Sequence, residues 1–377
     1  MEKNNKTLNV PNLRFPEFSG EWEKALLNHY LEENKERNKK GVFTKNDVLS
    51  VSGDYGVVNQ IELLGRSFAG KSVLDYHVVR HGNIVYTKSP LKEYPYGIVK
   101  VNDGVDGIVS TLYAVYMTKE NVDGKFIENY FGLPSRTNRY FKPIVRIGAK
   151  HDMKIGNEEV LANYVIFPQL DEQKRISEFI SLLDQRIETQ KKIIEKCESL
   201  IRGLCEQLTR QGTKNKAINE CLDCHTSTLQ ESTVSGTGEY PVYGATGVCG
   251  YTNFNDVKDD GILIIKDGAS VGTTYYARGS YSHIGTLNRL TARKGVNLRY
   301  VYYCLKVMNF APYKTGLAIP HIYFKDYGKH RIWCPSYEEQ LHIANILTQI
   351  DDKIHIEKSL LEQLNSQKRY MLGKLFI

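Results

Sequence analysis

The sequence predicts an α+β protein. It has two mixed, strand-rich globular domains and two long helices, which pair as an antiparallel intramolecular coiled coil about a pseudo-twofold repeat. Three observations predict it. PQLDEQKRI at 168–176 recurs as PSYEEQLHI at 335–343, and the offset of 167 residues holds without a gap to the end of the sequence. Each copy carries an apolar seam whose steps alternate four and three, the spacing of a coiled coil. The segments ahead of the two copies share short alternating runs rich in Gly, Tyr, Val and Ile.

The elements follow in order. Residues 1–167 read as the first globule, with strands over 83–87, 97–101 and 107–116. Residues 168–211 read as the first helix. Its seam is Ile176, Ile180, Leu183, Ile187, Ile194, Ile201 and Leu208, and Gly212 ends it in a polar linker. Residues 212–334 read as the second globule, with strands over 240–243, 261–265 and 273–276. Residues 335–377 read as the second helix. Its seam is Ile343, Leu347, Ile350, Ile354, Leu361, Leu364 and Leu375, and Ser336 with Glu339 forms a capping box at its start. Gln190 and Glu357 interrupt the two seams at equivalent places. A polar layer of this kind lowers stability and fixes register, so the seams are expected to face one another.

Composition narrows the class. The 377 residues are 41% hydrophobic and 25% charged, ordinary for a globular protein. No run approaches the roughly 18 apolar residues of a membrane span. No secretory signal is evident, and the expected location is the cytoplasm. Seven unevenly spaced cysteines argue against a disulfide framework. A formal charge of +7 leans toward an anionic partner such as nucleic acid. The 25 tyrosines suit half-buried sheets and also suit stacking on bases.

Two motifs suggest other chemistry. GRSFAGKS at 65–72 has the spacing of a phosphate-binding loop. Such a loop needs a buried strand before it and a stable helix after it. Residues 61–64 could supply the strand, but 73–81 read as a turn leading into a strand, and no acidic strand end offers itself to Mg²⁺. Cys221, Cys224 and His225 make half of a zinc site, with no second half at a suitable spacing. No metal site and no catalytic residue is therefore assigned. Methyltransferase, nuclease and helicase signatures are likewise not found.

The chain resembles the specificity subunit of type I restriction-modification systems. The resemblance is carried by VPNLRFPEF at 10–18 with Trp22, VYTKSPL at 85–91, GEYPVYG at 238–244, Ile319-Pro320-His321 and the paired Pro-x-x-x-Glu-Gln helix starts. It implies two target-recognition domains, 1–167 and 212–334, separated by spacer helices 168–211 and 335–377. It implies a DNA-reading subunit that does no chemistry itself and takes an asymmetric, bipartite target in double-stranded DNA. Its implied partners are two methyltransferase subunits and, in the full complex, restriction subunits. S-adenosylmethionine, ATP and Mg would reside on those partners, and this chain itself would need no cofactor. Grooves of duplex DNA recur every 34–36 Å or so, which a fixed pair of helices about 60 Å long could match as a ruler.

DNA contacts are expected from loop residues with basic, amide and aromatic side chains. In the first domain these are Lys71, Lys88, Lys92, Arg136, Asn138, Arg139 and Tyr140. In the second they are Lys266, Arg278, His283, Arg289, Lys314 and Lys325. The segments 133–140 and 266–272 read as loops beside Pro or Gly. Methyltransferase contacts are expected on the outer helix faces and on 13–18, with Phe15 and Phe18 as anchors. The competing reading is a coiled-coil scaffold whose globules bind proteins and no nucleic acid. A nucleotide hydrolase built on 65–72 is the remote one.

Overall fold

The computed structural model describes residues 8–70, 72–91, 93–147, 153–255, 257–316 and 318–377. The chain divides into two units: one runs to Thr189 and adds Leu361–Ile377, and the other is Gln190–Leu360. The division therefore runs through both long helices, not at their ends. Lys71 and Lys92 lie outside the described residues.

The long helices are Leu170–Thr209 and Tyr337–Lys374. Ser336 Oγ accepts from the Glu339 amide at 3.3 Å, which is the serine half of the expected capping box. Gly212 is not a left-handed cap. The first helix stops at Thr209, and Gly212 lies so close to the Trp333 indole that a Cβ would collide with it.

The seams are as the spacing predicts. Ile176, Ile180, Ile187, Ile194, Ile201, Ile343, Leu347, Ile354, Leu364 and Leu375 are buried, and Leu183, Leu208, Ile350 and Leu361 are half-buried. Toward each C-terminus the buried positions move one residue on. Cys205 and Thr209 are buried more deeply than Leu204 and Leu208, and Leu372 more deeply than Met371. A helix of 3.6 residues per turn drifts about 20° per heptad against a strict seven-residue repeat. Over four heptads that amounts to nearly one position.

In the first unit, Gly124–Tyr130 and Pro134–Phe141 form short helices. The central antiparallel sheet orders its strands 31–33, 113–118, 84–87, 99–101. The run predicted as one strand over 107–116 is two strands, 107–109 and 113–118, broken by a turn. Strand 23–26 pairs antiparallel with 164–167, with Glu23 opposite Phe167, and so anchors the globule at the start of the first helix. Trp22, Tyr86, Phe126, Phe141 and Phe167 form the core, and Ile176, Ile180, Leu372, Leu375 and Phe376 enter it from the helices. Helices and globule thus share one core, which fixes the globule on the helix pair.

The second unit repeats the plan with different residues. Its antiparallel sheet orders strands 222–226, 287–292, 261–265, 274–277 beside the helix Leu298–Lys306. Strand 216–217 pairs with 331–332 as 23–26 pairs with 164–167. Ile262, Ile264, Tyr300, Tyr303 and Tyr327 pack with Ile201, Cys205, Ile343, Leu347 and Ile354. The polar layer lies here: Gln190 Nε2 donates to Glu357 Oε2 at 2.5 Å and to the Glu357 carbonyl at 3.1 Å. The two seams face each other at that layer.

The paired Glu-Gln motif has a structural role. The Gln173 carboxamide donates to the Pro168 carbonyl at 2.9 Å and accepts from the Asp123 amide at 3.0 Å, and Asp123 caps helix 124–130. Gln340 donates to the Pro335 carbonyl at 2.9 Å and accepts from the Asn297 amide at 2.9 Å, and Asn297 caps helix 298–306. Each buried glutamine ties the first turn of a long helix to the first turn of a globular helix.

Candidate nucleic-acid interface

The residues expected to contact DNA separate into core and surface. Segment 133–140 is not a loop. Pro134 occupies the first turn of helix Pro134–Phe141, where a missing N–H costs nothing. Arg136 is 7% exposed and donates to the carbonyls of Tyr130 (2.8 Å) and Leu372 (2.9 Å), between the rings of Tyr130 and Phe376. Burial lowers its pKa to about 10. Tyr140 is buried, and its hydroxyl donates to the Val160 carbonyl at 2.6 Å. Both are framework residues, which corrects the expectation for them. Asn138 is half-buried, and Arg139 is exposed, donating to the Ile377 carbonyl at 3.1 Å.

Lys88 is half-buried. Its Nζ donates to Asn157 Oδ1 at 2.6 Å, and burial pushes the ammonium below its ordinary pKa. Phe15 is tucked against Phe179 (5.8 Å between ring centres) beneath the Arg175 guanidinium, so it is not an exposed anchor.

GRSFAGKS does not fold as a phosphate loop. Residues 60–64 are a helix, not a strand, and Gly65 ends it at φ 74°. Among the described residues from 66 to 76 no helix follows. Instead Arg66 lies over the exposed Phe68 ring, 4.6 Å from its centre. Ala69 packs on the same small cluster as Phe43, with Val48, Val73 and Ile108. That cluster carries a second loop with the exposed Lys40 and Lys45. The first unit therefore presents Lys40, Lys45, Arg66 and Phe68 from neighbouring loops, a set the sequence reading missed. The charge run KERNKK at 35–40 was the available signal.

In the second unit two groups form. Arg289, opposite His225 in the sheet register, and His283 line a cleft of about 680 Å³ with Thr226, Ser227 and Gln230. Arg289 Nε donates to the Tyr281 hydroxyl at 3.1 Å, which holds its head at the cleft wall. His283 is buried, so it shapes the wall more than it reaches out. The second group joins loop 266–272 to 314–325. The Ile322 amide donates to the Lys266 carbonyl, Gly268 N–H donates to the Pro320 carbonyl, and His321 pairs with Thr315 and Asp267. Lys314 and Lys325 are exposed there, Lys325 over the Tyr323 ring. Ile319-Pro320-His321 is the bridge between the loops. Arg278 stands apart, in a 3.1 Å exposed ion pair with Asp352.

Such surfaces can hold phosphates through ammonium and guanidinium groups and stack bases on Phe68 or Tyr323. Among the described residues no group of His, Cys, Asp and Glu is placed to hold a metal ion, and no helix is long and apolar enough to cross a membrane. The Cys221 thiol is hydrogen-bonded to Cys334.

Fold and surface define a class: a tandem repeat in which each helix-anchored globule offers its own basic, aromatic-bearing loops. Residues 213–366 match the type I restriction modification DNA specificity domain. Two curated relatives are similar over part of the chain. The type I restriction enzyme EcoprrI specificity subunit of Escherichia coli is 26% identical over 30% of this chain and 28% of its own length. The MjaVIII specificity subunit of Methanocaldococcus jannaschii is 30% identical over 32% of this chain and 29% of its own length. The match thus spans less than a third of either relative. By fold, the chain is similar to the S subunit of the type I restriction-modification system of M. genitalium, with TM-score 0.66, 17% identity and coverage of 98% and 99%. It is also similar to a chain from a type I system solved to explain complex assembly and conformational transition, with TM-score 0.55, 16% identity and coverage of 94% and 97%. The resemblance to type I specificity subunits read from the sequence therefore holds.

Proposed function

We propose that this protein is the DNA sequence-recognition subunit of a type I restriction-modification complex. Each unit reads one half of an asymmetric, bipartite target in duplex DNA, and the helices hold methyltransferase subunits. The reaction chemistry, with S-adenosylmethionine, ATP and Mg, belongs to partner subunits. The observation that carries the reading is the match of residues 213–366 to the DNA specificity domain. The two units support it by being alike in plan and unlike in their exposed loops, which suits two different half-sites on one frame.

The test is DNA binding by the chain together with its methyltransferase subunits, titrated with salt. Phosphate contacts release counterions, so log affinity should fall linearly and steeply with log salt. Affinity that is flat in salt, or equal for all duplexes, would instead favour a scaffold whose globules bind proteins.

A further inference from the structure

In the first unit an irregular strap, residues 8–22 with a turn at 16–17, covers the start of the first long helix. The Leu13 amide donates to the Lys374 carbonyl at 3.0 Å. Arg14 grips Glu172 with two bonds of 2.7 Å, and Trp22 Nε1 adds a third at 3.3 Å. Phe15 lies on Phe179 under Arg175, and Arg175 also pairs with Glu17 at 3.6 Å. The footprint on the helix is Glu172, Arg175 and Phe179.

The repeat offset carries that footprint to Glu339, His342 and Ile346. The chemistry is kept at all three positions: the same carboxylate, a ring nitrogen base in place of the guanidinium, and an apolar group. The cover is not kept. Residues 210–215 lead straight from the first helix into strand 216–217 and bond elsewhere, Arg210 to Val307 and Asn215 to Cys334. Glu339 and His342 are exposed, as are Tyr337 (51%) and Leu341 (42%) beside them. Glu339 and its neighbour Glu338 carry no ion pair recorded among the described residues, whereas Glu172 is 2% exposed.

We propose that this face of the second unit receives an extended segment of a partner protein that bears an arginine beside an aromatic residue, gripped at Glu339 as Glu172 grips Arg14. The equivalent carboxylate, Glu172, takes a guanidinium through two parallel bonds, the geometry in which the two groups fit. A second copy's strap has the same chemistry but is already committed, and its release would leave its own Glu172 buried and unpaired.

The test uses a dye-labelled peptide of residues 8–22 as the probe and the full chain as the receptor. Fluorescence anisotropy should show saturable binding. Glu339→Gln in the chain, or Arg→Ala in the peptide at the place of Arg14, should weaken it about tenfold or more. Glu339 is exposed, so its substitution leaves the fold intact, and DNA binding by that variant should be unchanged, which keeps this inference separable from the proposed function. Absence of saturable binding, or binding indifferent to Glu339→Gln, overturns the proposal. So does a dimer of the chain that Glu339→Gln dissolves, since the occupant would then be a second copy.

Discussion

Removal of Arg14 should destabilise the first unit selectively. Glu172 is almost fully buried, and its carboxylate is held by both Arg14 bonds and by Trp22. Arg14→Ala leaves that carboxylate with one weak donor. Loss of one partner from a buried pair costs about 3–5 kcal/mol. Arg14 keeps 15% of its side chain exposed, so water can partly replace it, and about 2–4 kcal/mol is expected here. Each unit has one tryptophan, Trp22 in the first and Trp333 in the second. In a Trp333→Phe background, urea unfolding followed by Trp22 emission therefore reports the first unit. The Arg14→Ala midpoint should fall sharply, while the same change read by Trp333 in a Trp22→Phe background should leave the second unit's midpoint near its starting value. Arg14→Met with Glu172→Leu should recover much of the loss, because the unpaired charge is the main cost. A change below about 0.5 kcal/mol in Arg14→Ala would refute the reasoning and mark the pair as surface-like.

Other outcomes follow from the same structure. Arg136→Met should cost the first unit about 2–4 kcal/mol in urea unfolding, since the Tyr130 and Leu372 carbonyls lose charged donors. Gln190→Leu with Glu357→Leu should raise the thermal midpoint of the second unit and promote self-association seen by sedimentation, as the register device is lost. Burial, aided by Arg37 and Lys88, lowers the His77 pKa to about 4. The unfolded chain then binds the proton first, so this contribution is whole above about pH 6.5 and is lost as pH falls toward 4, by about 2–3 kcal/mol. Unfolding against pH should show that slope, and His77→Gln should flatten it. Lys325→Glu and Arg66→Glu should each weaken DNA binding and reduce the salt slope by about one, without changing the sequence preferred.

The helices were legible because their signal is long and periodic. Seven apolar seam positions in each copy outvote any single residue, and the polar layer at Gln190 and Glu357 marked which faces meet. The short strands were legible where a β-branched run starts at a glycine, as at 261–265. The turn inside 107–116 was not, because Ser110-Thr-Leu112 carries no Gly or Pro. Arg136 and Tyr140 were misread for a related reason. Pro134 marks a turn and a helix start equally well, and the Leu372 carbonyl that holds Arg136 lies 236 residues away. The Lys88 bond to Asn157 was hidden likewise, since the two are remote in sequence. A basic residue's identity says that it seeks an anion or a carbonyl, and only the fold says which one is near. Arg66 and Phe68 were hidden inside a motif that drew attention to Lys71.

The most direct measurement is a methylation map of the genome in cells with and without this gene, the methyltransferase gene being present in both. The account predicts one asymmetric, bipartite adenine-methylation motif that vanishes with the gene, and a change in one half of that motif alone when residues 1–167 are exchanged for those of another specificity subunit. A map that is the same with and without the gene would contradict it.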